Sequence, residues 1–161
     1  MTRVITTAAL VSMLAAFPVM AADNDLVGTY KLVIEQRTIV DTGEVIPVKN
    51  PQGYITYGGD GRMMVILVRH PRPRPESIEK TTDQERADLL RTLTAYAGTY
   101  KFNGTEVEHH IDISMNETWT GTTQVRFVRR DGERIVYTTP PFRFHTDGKM
   151  SVNMLVWEKI K

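Results

Sequence analysis

Three short glycine-bearing turns set narrow limits on what this chain can fold into. They are Gly58-Gly59-Asp60-Gly61, Asn103-Gly104 and Asp131-Gly132, and each stands between runs rich in β-branched and aromatic residues. Asn-Gly and Asp-Gly supply the positive φ angles of a tight hairpin, so each turn reverses a strand onto its antiparallel neighbour. The strands that follow from this punctuation are Leu26–Arg37, Gln52–Tyr57, Arg62–His70, Ala97–Phe102, Thr105–Ser114, Thr120–Arg130, Glu133–Thr139 and Lys149–Lys159. About eight antiparallel strands in sequence suit an all-β up-and-down barrel with room for a small ligand.

The strand over residues 62–70 is apolar in both registers, with Met64, Ile66 and Val68 alternating with Met63, Val65 and Leu67. A strand apolar on both faces calls for a cover outside it. The chain offers one in Thr82-Asp83, a capping pair for a helix running to about Tyr96 with Leu89, Leu93 and Tyr96 along one stripe. The expected architecture is therefore a barrel with one helix covering it. Before that helix, Pro71, Pro73 and Pro75 with Arg72 and Arg74 form a linker that cannot pair in a sheet. Gly28-Thr29-Tyr30-Lys31 recurs as Gly98-Thr99-Tyr100-Lys101, an echo that suggests equivalent strand starts.

Residues 1–21 read as a secretory signal: one positive charge at Arg3, an apolar run from Val4 to Val19, and small residues near Ala21. The folded domain then spans residues 22–161, exported to a periplasm or to the medium, with no stable membrane insertion once the signal is removed. Loss of Arg3 leaves 19 basic and 19 acidic residues. A chain without net charge is a poor binder of nucleic acid or anionic membrane. There is no cysteine, which excludes disulfides and thiolate chemistry. The four histidines, at 70, 109, 110 and 145, are scattered and have no metal-ligand spacing, so no metal is expected. No nucleotide loop or other cofactor motif is present either.

The polar chemistry collects between Thr105 and Phe127. Alternation sends His109 to the core-facing register with Val107, Ile111 and Ile113, and His110 to the solvent side. Gln124 and Arg126 share a register. Simple alternation would put Val125 and Phe127 inside instead, and a bulge near Gly121 would reverse that choice. An inward Arg126 can bind a carboxylate or a carbonyl oxygen through its fork, and Gln124 through its amide.

These residues resemble the lipocalin-like domain family of small bacterial and fungal proteins. The landmarks are Leu26-Val27-Gly28-Thr29-Tyr30, Gly53-Tyr54-Ile55-Thr56-Tyr57, Asp60-Gly61-Arg62-Met63 and Tyr96-Ala97-Gly98-Thr99-Tyr100. They continue as Val107-Glu108-His109-His110, Trp119-x-Gly121, Gln124-x-Arg126 and Leu155-Val156-Trp157-Glu158. The resemblance implies a barrel with an internal pocket and an inward Arg126. Where true lipocalins carry Gly-x-Trp this chain has Tyr30, and Lys159 stands where a basic side chain would seal the closed end against that ring. The leading expectation is an exported barrel that binds a small, partly apolar molecule with one polar or anionic group. Tyr57, His109, Gln124 and Arg126 would meet the polar end, and Trp157 would supply apolar wall. The alternative is a cofactor-free isomerase or cyclase in which His109 is the catalytic base and Arg126 stabilises an oxyanion.

Overall fold

The structure is a computed structural model and describes residues 26–144 and 147–160. The expected signal segment, and His145, lie outside the described residues. Ten strands and one helix follow one another: β1 (Gly28–Ile39), β2 (Val45–Pro47), β3 (Gln52–Tyr57), β4 (Arg62–Val68), α1 (Asp83–Arg91), β5 (Leu93–Phe102), β6 (Glu106–Ser114), β7 (Thr123–Asp131), β8 (Arg134–Thr138), β9 (Phe142–Arg143) and β10 (Met150–Lys159). Every pairing is antiparallel, in the order β1-β3-β4-β5-β6-β7-β8-β10, and β10 returns to pair with β1 from Tyr30↔Lys159 to Ile39↔Ser151. The sheet thus closes as an eight-stranded barrel and leaves no long free edge in its wall. β2 and β9 are short additions beside β1 and β10.

The three glycine turns all lie at one end of the barrel, together with Gly28 and Lys159. That end is shut. Tyr30, Tyr57 and Tyr100 pack there edge to face, with ring centroids 6.4 Å and 4.7 Å apart around Tyr57. Lys159 Nζ lies 5.8 Å from the Tyr30 centroid, the cation–π seal expected of this end. The repeated Gly-Thr-Tyr-Lys pieces are equivalent in packing, since Tyr30 and Tyr100 both meet Tyr57. They do not mark equivalent strand starts, because Gly98 lies within β5. A Cβ on Gly98 would stand 1.9 Å from the His110 carbonyl oxygen. The glycine there lets β6 approach across a register shift between Ala97 and Gly98.

Two expectations about elements need correction. The helix starts as read, with a capping box in which Thr82 accepts from the Glu85 amide and Glu85 reaches back to the Thr82 amide. It ends at Arg91, however, and buries none of its residues. Leu93 and Tyr96 belong to β5, and Tyr96 points into the barrel. The outer face of β4 is consequently uncovered, leaving Met64 and Ile66 exposed at 62% and 53%. In β1 the register shifts between Leu32 and Ile34. Alternation along the first strand puts Tyr30, Leu32 and Ile34 on one face; Tyr30 and Leu32 do face inward, but Ile34 turns to solvent and Glu35, Arg37 and Ile39 take the inner positions.

Candidate functional site

The inner faces of β6 and β7 build the polar part of the interior. Gly121, at φ +78°, and Thr122 together oppose the single residue Ile111: Gly121 N donates to Ile111 O, and Ile111 N donates to Thr122 O. This is a glycine-first bulge. Beyond it Gln124 pairs with His109 and Arg126 with Val107. Directly opposed residues share a face, so Gln124 and Arg126 point inward beside His109. Phe127 turns out and is 45% exposed. The Arg126 Nη1 donates to the Val125 carbonyl at 2.7 Å and to Gln124 Oε1 at 3.5 Å.

A cavity of about 460 Å³ occupies the barrel between the tyrosine floor and the opposite end. That volume lies within the range of small-molecule sites. Ile55, Val65, Leu67, Leu155 and Trp157 supply apolar wall, and Tyr96, His109, Gln124 and Arg126 supply polar groups. Four of the five expected binding residues therefore line one cavity: His109, Gln124, Arg126 and Trp157. Tyr57 does not. It stands behind His109 as a buried support, 1% exposed.

His109 is held at both ring nitrogens. Its Nε2 lies 2.7 Å from the Tyr57 hydroxyl and its Nδ1 lies 2.9 Å from the Tyr96 hydroxyl. Tyr137 in turn donates to the Tyr57 oxygen at 2.9 Å. Burial, with the positive charge of Arg126 and the nearby His110 adding to it, holds His109 well below its ordinary pKa, so the ring is neutral. Burial likewise raises the hydroxyls of Tyr57, Tyr96 and Tyr137, and these too are neutral. The positive charge of Arg126 acts against that rise at Tyr96. Among the described residues no carboxylate lies within ion-pair distance of Arg126. The Trp157 Nε1 and the Asn153 Oδ1, both buried in the cavity wall, have no hydrogen-bond partner among the described residues.

Nearer the open end, sequence reasoning missed a second set of groups. Arg69 Nε and Nη2 both donate to Glu35 Oε1, at 2.9 Å and 2.5 Å, and Nη1 donates to Thr94 Oγ1. Arg37 donates to both Asp147 oxygens at 3.0 Å and 2.8 Å and to Ser151 Oγ at 2.8 Å, with its guanidinium 4.0 Å over the Phe144 ring. In the sequence Arg69 runs directly into the proline-arginine linker, which reads as a solvated loop near the barrel mouth. Only the β1 bulge, which turns Glu35 inward to meet Arg69, makes it a wall residue. His110 faces outward as expected, against Thr123 Oγ1 at 2.9 Å. Among the described residues no group of histidines and acids is placed to hold a metal ion.

The closed antiparallel barrel, with its tyrosine floor, encloses a mixed apolar and polar cavity of small-molecule size. The chain belongs to the lipocalin-like domain family, which matches it over residues 27–160. No curated protein matches the chain. Among solved structures, it is similar to the crystal structure of an uncharacterized protein from Bacteroides eggerthii DSM 20697. That likeness has 13% identity and a TM-score of 0.42, over 84% of this chain and all of the other.

Proposed function

We propose that this protein is exported and binds a small, partly apolar molecule that carries an anionic group, held inside the barrel with that group against Arg126. One observation carries the reading: the Arg126 guanidinium lines the mixed apolar and polar cavity and has no carboxylate partner among the described residues. A charge in such a place is costly unless something opposite in sign meets it. The unpartnered Trp157 indole N–H is a further donor in the same wall. Export rests on the signal-like residues 1–21.

Binding is preferred over the isomerase or cyclase alternative because of how His109 is held. A general base needs a ring nitrogen within reach of a substrate proton, and both nitrogens of His109 face tyrosine hydroxyls. Native mass spectrometry of protein purified from its own compartment is expected to show a bound anion of small mass. Arg126→Ala should weaken that complex about 10- to 100-fold, the range of a hydrogen bond to a charged group. Retention of the ligand at full affinity by that variant would overturn the reading.

A further inference from the structure

The hydrogen bonds around His109 run in one direction, and that direction decides what Tyr96 offers to the cavity. Tyr137 donates its single hydrogen to the Tyr57 oxygen. The Tyr57 hydrogen is then left for its other close neighbour, His109 Nε2, at 2.7 Å. A neutral imidazole that accepts at Nε2 carries its own hydrogen on Nδ1. Nδ1 lies 2.9 Å from the Tyr96 oxygen, so it donates there. That bond takes a lone pair of Tyr96 and leaves the single hydrogen of the hydroxyl uncommitted. Its hydrogen must go elsewhere, and Tyr96 forms part of the cavity wall beside Arg126.

We infer that the Tyr96 hydroxyl, fixed as a donor by the chain Tyr137–Tyr57–His109, is the second anion contact of the cavity, so that Tyr96 and Arg126 together present hydrogen-bond donors to one anionic group. This rests on the binding function proposed above and narrows it. A carboxylate, sulfonate or phosphate ester oxygen fits. An ammonium group, which has no lone pair, could accept from neither donor. His109 is a positioning residue in this scheme: both its ring nitrogens are taken by tyrosine hydroxyls, so it makes no hydrogen bond to the ligand, and it fixes the rotation of the Tyr96 hydroxyl. Linked hydrogen bonds of this kind polarise one another in a poorly solvated interior.

The first test needs no ligand. Long-range nitrogen-15 correlation spectra of the full folded domain should show His109 as the neutral tautomer protonated at Nδ1 near neutral pH. A ring protonated at Nε2, or at both nitrogens, overturns the inference. The second test uses two fluorescent probes that share an aromatic body, 8-anilinonaphthalene-1-sulfonate and the uncharged N-phenyl-1-naphthylamine. The sulfonate should bind at least tenfold more tightly to the wild-type protein. Tyr96→Phe should lower sulfonate affinity about five- to tenfold and leave the amine unchanged, with thermal unfolding confirming the fold of each variant. His109→Gln should lose part of the sulfonate preference, although His109 makes no hydrogen bond to the probe.

If Arg126→Gln weakens the sulfonate while Tyr96→Phe does not, the Tyr96 inference fails and the anion-binding function stands. If neither variant distinguishes the two probes, or the wild-type protein binds neither, both fall.

Discussion

A neutral imidazole between two tyrosine hydroxyls is an energetic liability in acid. The unfolded chain takes up a proton at His109 near the ordinary value of about 6.5, whereas the folded protein resists it because the ring is buried beside Arg126. With the folded pKa depressed, the unfolded state binds more protons as pH falls. The stabilising contribution is thus fully present above pH ~6.5 and is lost as pH drops toward the folded value, by up to ~1.4 kcal/mol per pH unit. Denaturant unfolding between pH 7.5 and 4.5 should show this extra slope in the wild-type protein and lack it in His109→Gln. Equal slopes would mean the ring titrates normally. The inward turn of His109 was legible from alternation alone, since Val107 and Ile111 flank it in the same register. Its partners were not. Tyr57, Tyr96 and Tyr137 come from β3, β5 and β8, and only the closed pairing brings the first two hydroxyls to the ring and the third behind Tyr57.

Among the elements, β1 and β5 carry the lessons that sequence spacing could not. In β1 the shift between Leu32 and Ile34 puts Glu35, only 2% exposed, inside the wall, where Arg69 from the end of β4 meets it. Removing one partner of such a pair leaves an uncompensated buried charge, whereas removing both does not. Arg69→Met should therefore destabilise by roughly 3–5 kcal/mol. Adding Glu35→Leu should recover most of that loss. A double variant no better than the single one would show that the pair does not act as a unit. In β5 the spacing of Leu89, Leu93 and Tyr96 matches a helical stripe, and that coincidence extended the expected helix into the strand. The chain there pairs with β4 from Val68↔Leu93 to Arg62↔Thr99, and tertiary pairing overrides a short periodic signal. The β7 orientation was decided by one glycine. The bulge at Gly121 turns Arg126 in and Phe127 out, against the simple hydrophobic alternation.

At the scale of the whole molecule, turn chemistry made the barrel readable. Gly58–Gly61, Asn103-Gly104 and Asp131-Gly132 each join strands as their residues demand. The helical cover was not borne out, because apolar outer positions such as Met64 and Ile66 do not themselves require a neighbour. Single exposed apolar side chains are common on protein surfaces. The contrast between the wall and α1, which buries no residue, should appear in hydrogen exchange. Amides of α1 should exchange through local opening well before those of β1 and β10, whose pairing spans nearly their full length. Comparable protection in α1 would show that something in solution covers it.

The seam between β1 and β10 has a kinetic consequence. Tyr30 must find Lys159, so the vessel is shut by the two segments farthest apart along the described chain. Loops that long close slowly, and the contacts that reward them come last. Until the final strand is made and docks, there is no enclosed space for a guest, and an incomplete chain is an open, curling sheet with two sticky borders.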